Sequence, residues 1–197
     1  MAKYCLSLTG AGTYQTETVA IARTFLECED WVEVRRLIVD ENLLLLNTDG
    51  NRKRIGGEIL KRLKTLNNQE IELYANAVGD DLAAITWISL CRTYPLVKSF
   101  AQEVLVKRYA HMIPDLPHTT YDAFADDQRF EHPEFAALTQ KSQDKVEIRV
   151  FGFLRDCHLI DRSYRITPLY VSPRFAEIVS QENEDDLALL PKVGVLL

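Results

Sequence analysis

Glycine and proline are scarce in this chain, eight and seven residues in 197. A recurrence of apolar residues at helical spacing runs through most of the length, so the reading is of a mainly helical protein. The four cysteines, Cys5, Cys28, Cys91 and Cys157, stand far apart with no CxxC pair. That excludes a disulfide framework and predicts reduced, mostly buried thiols in a cytoplasmic protein. Long apolar runs are missing too: the longest, Leu82 to Cys91, reaches roughly half of the ~20 residues a bilayer span needs. With one lysine and no apolar segment at the N-terminus, neither export nor membrane insertion is expected. An excess of positive charge is also lacking. The net charge is −6 and the isoelectric point is near 5.3, which argues against indiscriminate coating of nucleic acid.

Catalytic signatures are absent in the same way. Thr9-Gly10-Ala11-Gly12-Thr13 is rich in glycine, but no strand precedes it and no GK[ST] follows to bring a lysine and a magnesium-binding hydroxyl to phosphates. It reads as a structural turn. His111, His118, His132 and His158 are dispersed, and Cys157 and His158 are adjacent, which points their side chains apart on a helix; no CxxC or HExxH offers the convergence zinc requires. Acidic groups such as Asp126-Asp127 and Asp144 to Glu147 show none of the strand context of a two-metal hydrolase, and Ser7 and Ser89 have no evident histidine partner. No catalytic residue, metal site or cofactor is expected.

What is present is a local reversal of charge. Asn51 to Leu66 holds Arg52, Lys53, Arg54, Lys61, Arg62 and Lys64 against the single acid Glu58, a net +5 that leaves −11 for the rest of the chain. Wound at about 100° per residue, Ile55, Ile59, Leu63 and Leu66 share an arc of about 80°, with Lys53, Arg54, Lys61 and Lys64 opposite. Arg52 and Arg62 are placed at the edges of the stripe. Such a run is ordinarily a solvated helix face; its contrast with the acidic remainder favours a phosphate-binding surface. Within it, Gly56-Gly57 would cost about 1 kcal/mol each relative to alanine, which implies close approach by a neighbouring helix or by a nucleic-acid backbone.

Along the chain, helices are predicted over 16–27, from an Asp30 N-cap with Glu33 in the capping-box position, over the basic segment, over 68–77 with Gly79 as terminator, and from Asp80-Asp81 through an apolar central helix to Tyr94. The leucines between Asn42 and Asn47 end the second helix and bury its turn. Pro95 opens a further helix to about Tyr109. Pro114 and Pro117 mark the best boundary, dividing a helical bundle (1–115) from a smaller unit (116–197). In the latter, helices are expected over 120–127 and 133–138, then one capped by Ser142. Short β-prone pieces follow at Leu159-Ile160, Arg165-Ile166-Thr167 and Tyr170-Val171, and Ser172-Pro173 starts a last helix. Helix, short β elements and helix are compatible with a winged-helix-like unit. Glu182 to Asp186 reads as a solvated linker, and the apolar tail Leu187 to Leu197 must dock, as an edge strand for instance. Arg92, beside a buried helix and two aromatics, reads as a structural donor rather than a ligand contact.

In this order the residues become specific. Ser7-Leu8-Thr9, Trp31 with Arg35, Asn42-Leu43-Leu44 with Thr48, Arg52-Lys53-Arg54-Ile55 leading to Glu58 and Arg62-Leu63, the block Leu90-Cys91-Arg92-Thr93-Tyr94-Pro95, and Phe100 with Glu103-Val104 resemble the BrxA family of the bacteriophage exclusion (BREX) defence systems. The likeness continues more loosely through Tyr121, Phe124, Glu134, Leu154 and Ser172-Pro173. The resemblance implies a cytoplasmic, non-enzymatic, nearly all-helical protein that binds double-stranded DNA. It would work beside a DNA methyltransferase, a phosphatase-like protein and ATPases of the same operon. It also implies a first unit similar to the NusB-type RNA-binding helical bundle. The basic stripe, Arg52, Lys53, Arg54, Lys61, Arg62 and Lys64, is then the expected DNA contact. Two other readings stay open: an adaptor whose basic helix docks on an acidic protein, and an RNA-binding bundle.

Overall fold

The structure, a computed structural model, describes residues 6–195. A 3-10 turn, Leu6–Gly10, leads into α1 (Gln15–Cys28), α2 (Trp31–Val39), α3 (Asp49–Leu63), α4 (Asn68–Asn76) and α5 (Gly79–Thr93). After these come α6 (Pro95–Phe100), a π-helical turn Ala101–Leu105, α7 (Val106–Ala110), α8 (His118–Glu131), α9 (Pro133–Ala136) and α10 (Gln140–Asp156). The chain closes with β1 (Leu169–Val171), α11 (Pro173–Glu182), α12 (Glu184–Leu187) and β2 (Val193–Val195). The protein is mainly helical, and both described strands fall after Leu159, where the helical periodicity fades.

α5 is the axis of the molecule. Its apolar residues surround it on every side, so it is buried all round; Ile85, Trp87, Ile88, Leu90 and Cys91 are fully enclosed, and α3, α4, α6, α10 and β1 all pack against it. Truncating Trp87 to alanine at such a site would cost about 3–5 kcal/mol. Pro95 sits in the first turn of α6, where its missing N–H is no loss. Gly79, expected to terminate α4, instead begins α5, at a φ of 55°. Asn67 and Glu70 form a capping box at the head of α4, satisfying two of the orphan N–H groups there.

The two halves on either side of Pro114-Pro117 share one hydrophobic core, running from Leu8 through α5 to Leu190. The chain crosses between them at several points. Leu116 N–H donates to Tyr164 O at 2.8 Å, and Asp81 accepts from Ser172 N–H at 2.8 Å and from its hydroxyl at 2.6 Å. The apolar tail docks as expected: β2 pairs with β1 in parallel register, Leu169 opposite Val193, and Trp87 Nε1 donates to Leu189 O at 2.9 Å. An antiparallel bridge, Ile160 to Ile166, closes the turn between α10 and β1.

Four local expectations are corrected. Asp30 caps α2 through Val32 N–H, but Glu33 pairs with Arg36 at 2.6 Å instead of closing a capping box, because the guanidinium fork one turn on engages both its oxygens. Thr139, not Ser142, caps α10, accepting from Ser142 N–H at 3.3 Å. The leucine turn is only half-buried, and Leu45 points to solvent at 85% exposure. Finally, the acidic run is not simply a solvated linker: Asp186 is buried and bound to Arg92. The donor role expected of Arg92 is what the structure displays.

Candidate nucleic-acid interface

α3 forms where predicted because its ends and its inner face agree. Thr48 Oγ1 accepts from Asn51 N–H at 3.2 Å, and Asp49 lies in the first turn with Lys61 and Arg62 in the last, each sign favoured by the helix dipole at its end. The Lys53 ammonium, 2.7 Å from Asp49, holds that carboxyl below its usual range. Ile55, Ile59, Leu60 and Leu63 enter the core. α2 lies alongside so closely that a Cβ on Gly56 would come within 2.5 Å of Ile38 Cγ2. The close approach inferred from the glycine pair is therefore made by a neighbouring helix at Gly56.

The structure divides the six predicted basic residues into two groups. Lys53, Arg54, Lys61 and Lys64 are exposed. Lys61 rests over the Tyr94 ring at 4.7 Å and Lys64 over Trp31 at 5.8 Å, with Trp31 in turn stacked on Phe25 at 3.7 Å. These aromatic rings hold the ammonium groups at the surface by cation–π attraction. Arg54 donates one N–H to Gly10 O at 2.8 Å.

Arg52 and Arg62 turn inward. Arg52 is half-buried and donates to Val39 O at 2.8 Å. Arg62 is 1% exposed, donates to Thr13 O at 2.9 Å and lies 3.6 Å from Glu58, which also accepts from the Tyr94 hydroxyl. The helical wheel carries this distinction: at about 100° per residue both arginines fall on or beside the apolar arc, within roughly 20° of Ile59 and Ile55 respectively. They are part of the scaffold, not of the outer stripe. Glu58, the only acid in the segment, is thereby drawn towards Arg62 and Tyr94.

Two features lay beyond the sequence reading. Arg54, Arg62 and Arg149 all donate to carbonyls of the turn at Thr9–Thr13, those of Gly10, Thr13 and Thr9. The glycine-bearing turn is thus an acceptor hub that orients α3, which no motif announces. The other is Arg35, exposed on α2, which lines a groove with Val32, Arg36, Val39, Lys53 and the acid Asp40. Its signal was the outward position, one turn after Trp31. Arg36, next to it, is engaged by Glu33 at 2.6 Å and Glu41 at 2.7 Å, so Arg35 is the better extension of the basic face.

A second polar recess, between the π-helical turn and α8, mixes both signs: Glu103 and Asp127 face Lys107 and Arg108. Burial pushes the Glu103 carboxyl above its usual range. Such a lining does not form an anion-attracting field. Among the described residues, no three His, Cys, Asp or Glu side chains converge as metal ligands, and no helix is long and apolar enough to cross a membrane.

Fold and surface together define a small, mainly helical protein that presents one basic helix face from an acidic body. The chain belongs to the BrxA family, whose sequence model matches residues 2–183, placing it with BREX phage defence. It is 24% identical over 182 residues to the BREX protein BrxA of Escherichia coli O9:H4 (strain HS), an alignment covering 91% of this chain and 85% of that protein. The fold is also that of a crystal structure of an uncharacterized protein from Magnetospirillum magneticum, with a TM-score of 0.82 at 20% identity, over 97% of this chain and all of the other.

Proposed function

We propose that this protein is a cytoplasmic, non-enzymatic, double-stranded DNA-binding component of a BREX defence system, acting beside the other proteins of that system. The observation that carries the reading is the outer face of α3: Lys53, Arg54, Lys61 and Lys64 stand exposed on a chain of net charge −6, while Glu58 is drawn inward by Arg62 and Tyr94. A local positive field on an acidic body steers a polyanion to one face and repels it elsewhere. Contacts of this kind go to phosphates and are tolerant of sequence. Arg35, across the groove from Lys53, extends the surface.

The test is duplex binding as a function of salt. Four phosphate contacts predict a slope of roughly −3.6 in log K against log salt. Reversing Lys61 and Lys64 to glutamate should flatten it by about two contacts and weaken all duplexes alike. The two exposed cation–π seats lost in that variant are worth about 0.5–1 kcal/mol each, so melting temperature is the folding control. A well-folded double reversal with unchanged affinity and slope refutes the assignment of the surface. Binding to an acidic BREX partner in the presence of nuclease, with no shift of duplex DNA, would favour the adaptor role instead.

A further inference from the structure

A glycine within a helix weakens it relative to alanine, because the unfolded chain has more freedom to lose. Gly56 has a reason on its own chain, the contact with Ile38 Cγ2 that a Cβ would bring to 2.5 Å. Gly57 has none: a Cβ built there meets nothing within 4 Å. Yet Gly57 lies one turn from both Lys53 and Lys61 and two turns from Lys64, on the face these residues share. Gly57 is itself partly exposed there, with exposed lysines on either side.

We propose that Gly57 is the point where α3 comes closest to the DNA, the missing side chain letting one strand of the duplex settle against the helix backbone. The inference rests on the DNA-binding reading above and deepens it. Lys53 and Lys61 are about 12 Å apart along the helix axis, a span over which one strand, rising about 3.4 Å per nucleotide, presents several phosphates. The lysines take phosphates to either side, and the gap at Gly57 admits the backbone between them. Attraction alone would not need the gap; close seating does.

The experiment compares wild type, Gly57→Ala, Gly57→Gln and Gly56→Ala by fluorescence anisotropy with a labelled duplex, alongside thermal melting. Gly57→Ala should melt about 2–4 °C higher, since the site has room and alanine is the better helix former. It should nonetheless bind DNA about tenfold more weakly, as expected of a close-packed contact forced apart. Gly57→Gln, also a good helix former, should lose more. Gly56→Ala should lower the melting temperature while leaving the affinity of the folded protein unchanged. A stabilised Gly57→Ala that binds as wild type does, at the same charge, overturns the inference and leaves DNA binding standing. Wild type that fails to bind duplex removes both.

Discussion

Replacing Arg92 by alanine tests whether the C-terminal segment is held by a buried ion network. The guanidinium uses all five of its N–H groups. Nε and Nη2 donate to Asp186 Oδ2 at 2.8 and 2.5 Å, Nη1 and Nη2 to the two oxygens of Glu70 at 2.8 and 2.6 Å, and Nη1 also to Thr65 O at 2.8 Å. Its side chain is 17% exposed and both carboxylates are 1% exposed. Asp186 Oδ1 already lacks a partner, so no neighbouring donor stands ready to compensate. Removing the arginine strands the buried Asp186 carboxylate and leaves Glu70, of like sign, only the Asn67 N–H of its capping box, for which the cost is about 3–5 kcal/mol. In a chain of this length the melting temperature should fall by roughly 6–20 °C. Asp186→Ala should cost less, because Arg92 keeps its two bonds to Glu70. In the double variant the effects should be non-additive by about 0.5–3 kcal/mol. The assay is reversible urea and thermal unfolding of the four proteins. A loss under about 2 °C for Arg92→Ala, or strictly additive effects, would refute the network as the clasp between α4, α5 and α12.

Trp87→Phe keeps a large ring but removes the N–H given to Leu189 O, and should cost about 1–3 kcal/mol by leaving that carbonyl unsatisfied; an unchanged urea midpoint would deny the tail its anchor. Burial pushes the thiols of Cys91 and Cys157 well above their ordinary 9.0, and Tyr74 up to about 12 from 10.0. Above pH 9 the unfolded chain therefore holds fewer protons than the folded one, so stability present below that pH is lost as pH rises, by up to about 1.4 kcal/mol per unit for each thiol. The urea midpoint should fall between pH 8 and 10, and Cys157→Ala should flatten the fall; a level profile in wild type contradicts it. Among the described thiols, Cys28 is exposed while Cys91 and Cys157 are buried, so a maleimide on the native protein should label Cys28 rapidly and the other two only on unfolding. Purified protein should neither nick DNA nor hydrolyse nucleoside triphosphates. Magnesium-dependent nicking lost on Asp126→Asn or Asp144→Asn would overturn the non-enzymatic reading.

What the sequence determined by itself was whatever depends on short-range order. The periodicity of Ile55, Ile59 and Leu63 set the inner face of α3, the apolar wrap of Leu82 to Cys91 announced a buried α5, and Pro95 and Ser172-Pro173 opened helices. The exposed part of the basic stripe was legible for the same reason. So, in principle, were the inward positions of Arg52 and Arg62, expected at the edges of the stripe, because their wheel angles fall on or beside the apolar arc. Tertiary structure decided which partners distant residues found. Nothing local to Glu182–Asp186 foretells that Asp186 meets Arg92 across 94 positions, or that three arginines from α3 and α10 converge on the carbonyls of Thr9, Gly10 and Thr13. The wheel sets Gly56 beside the apolar arc and Gly57 on the basic face, but it does not tell what stands against either. Only the packing of Ile38 against one of them separates a glycine the fold requires from one it leaves bare, because helical periodicity fixes which way a residue points and not what stands there.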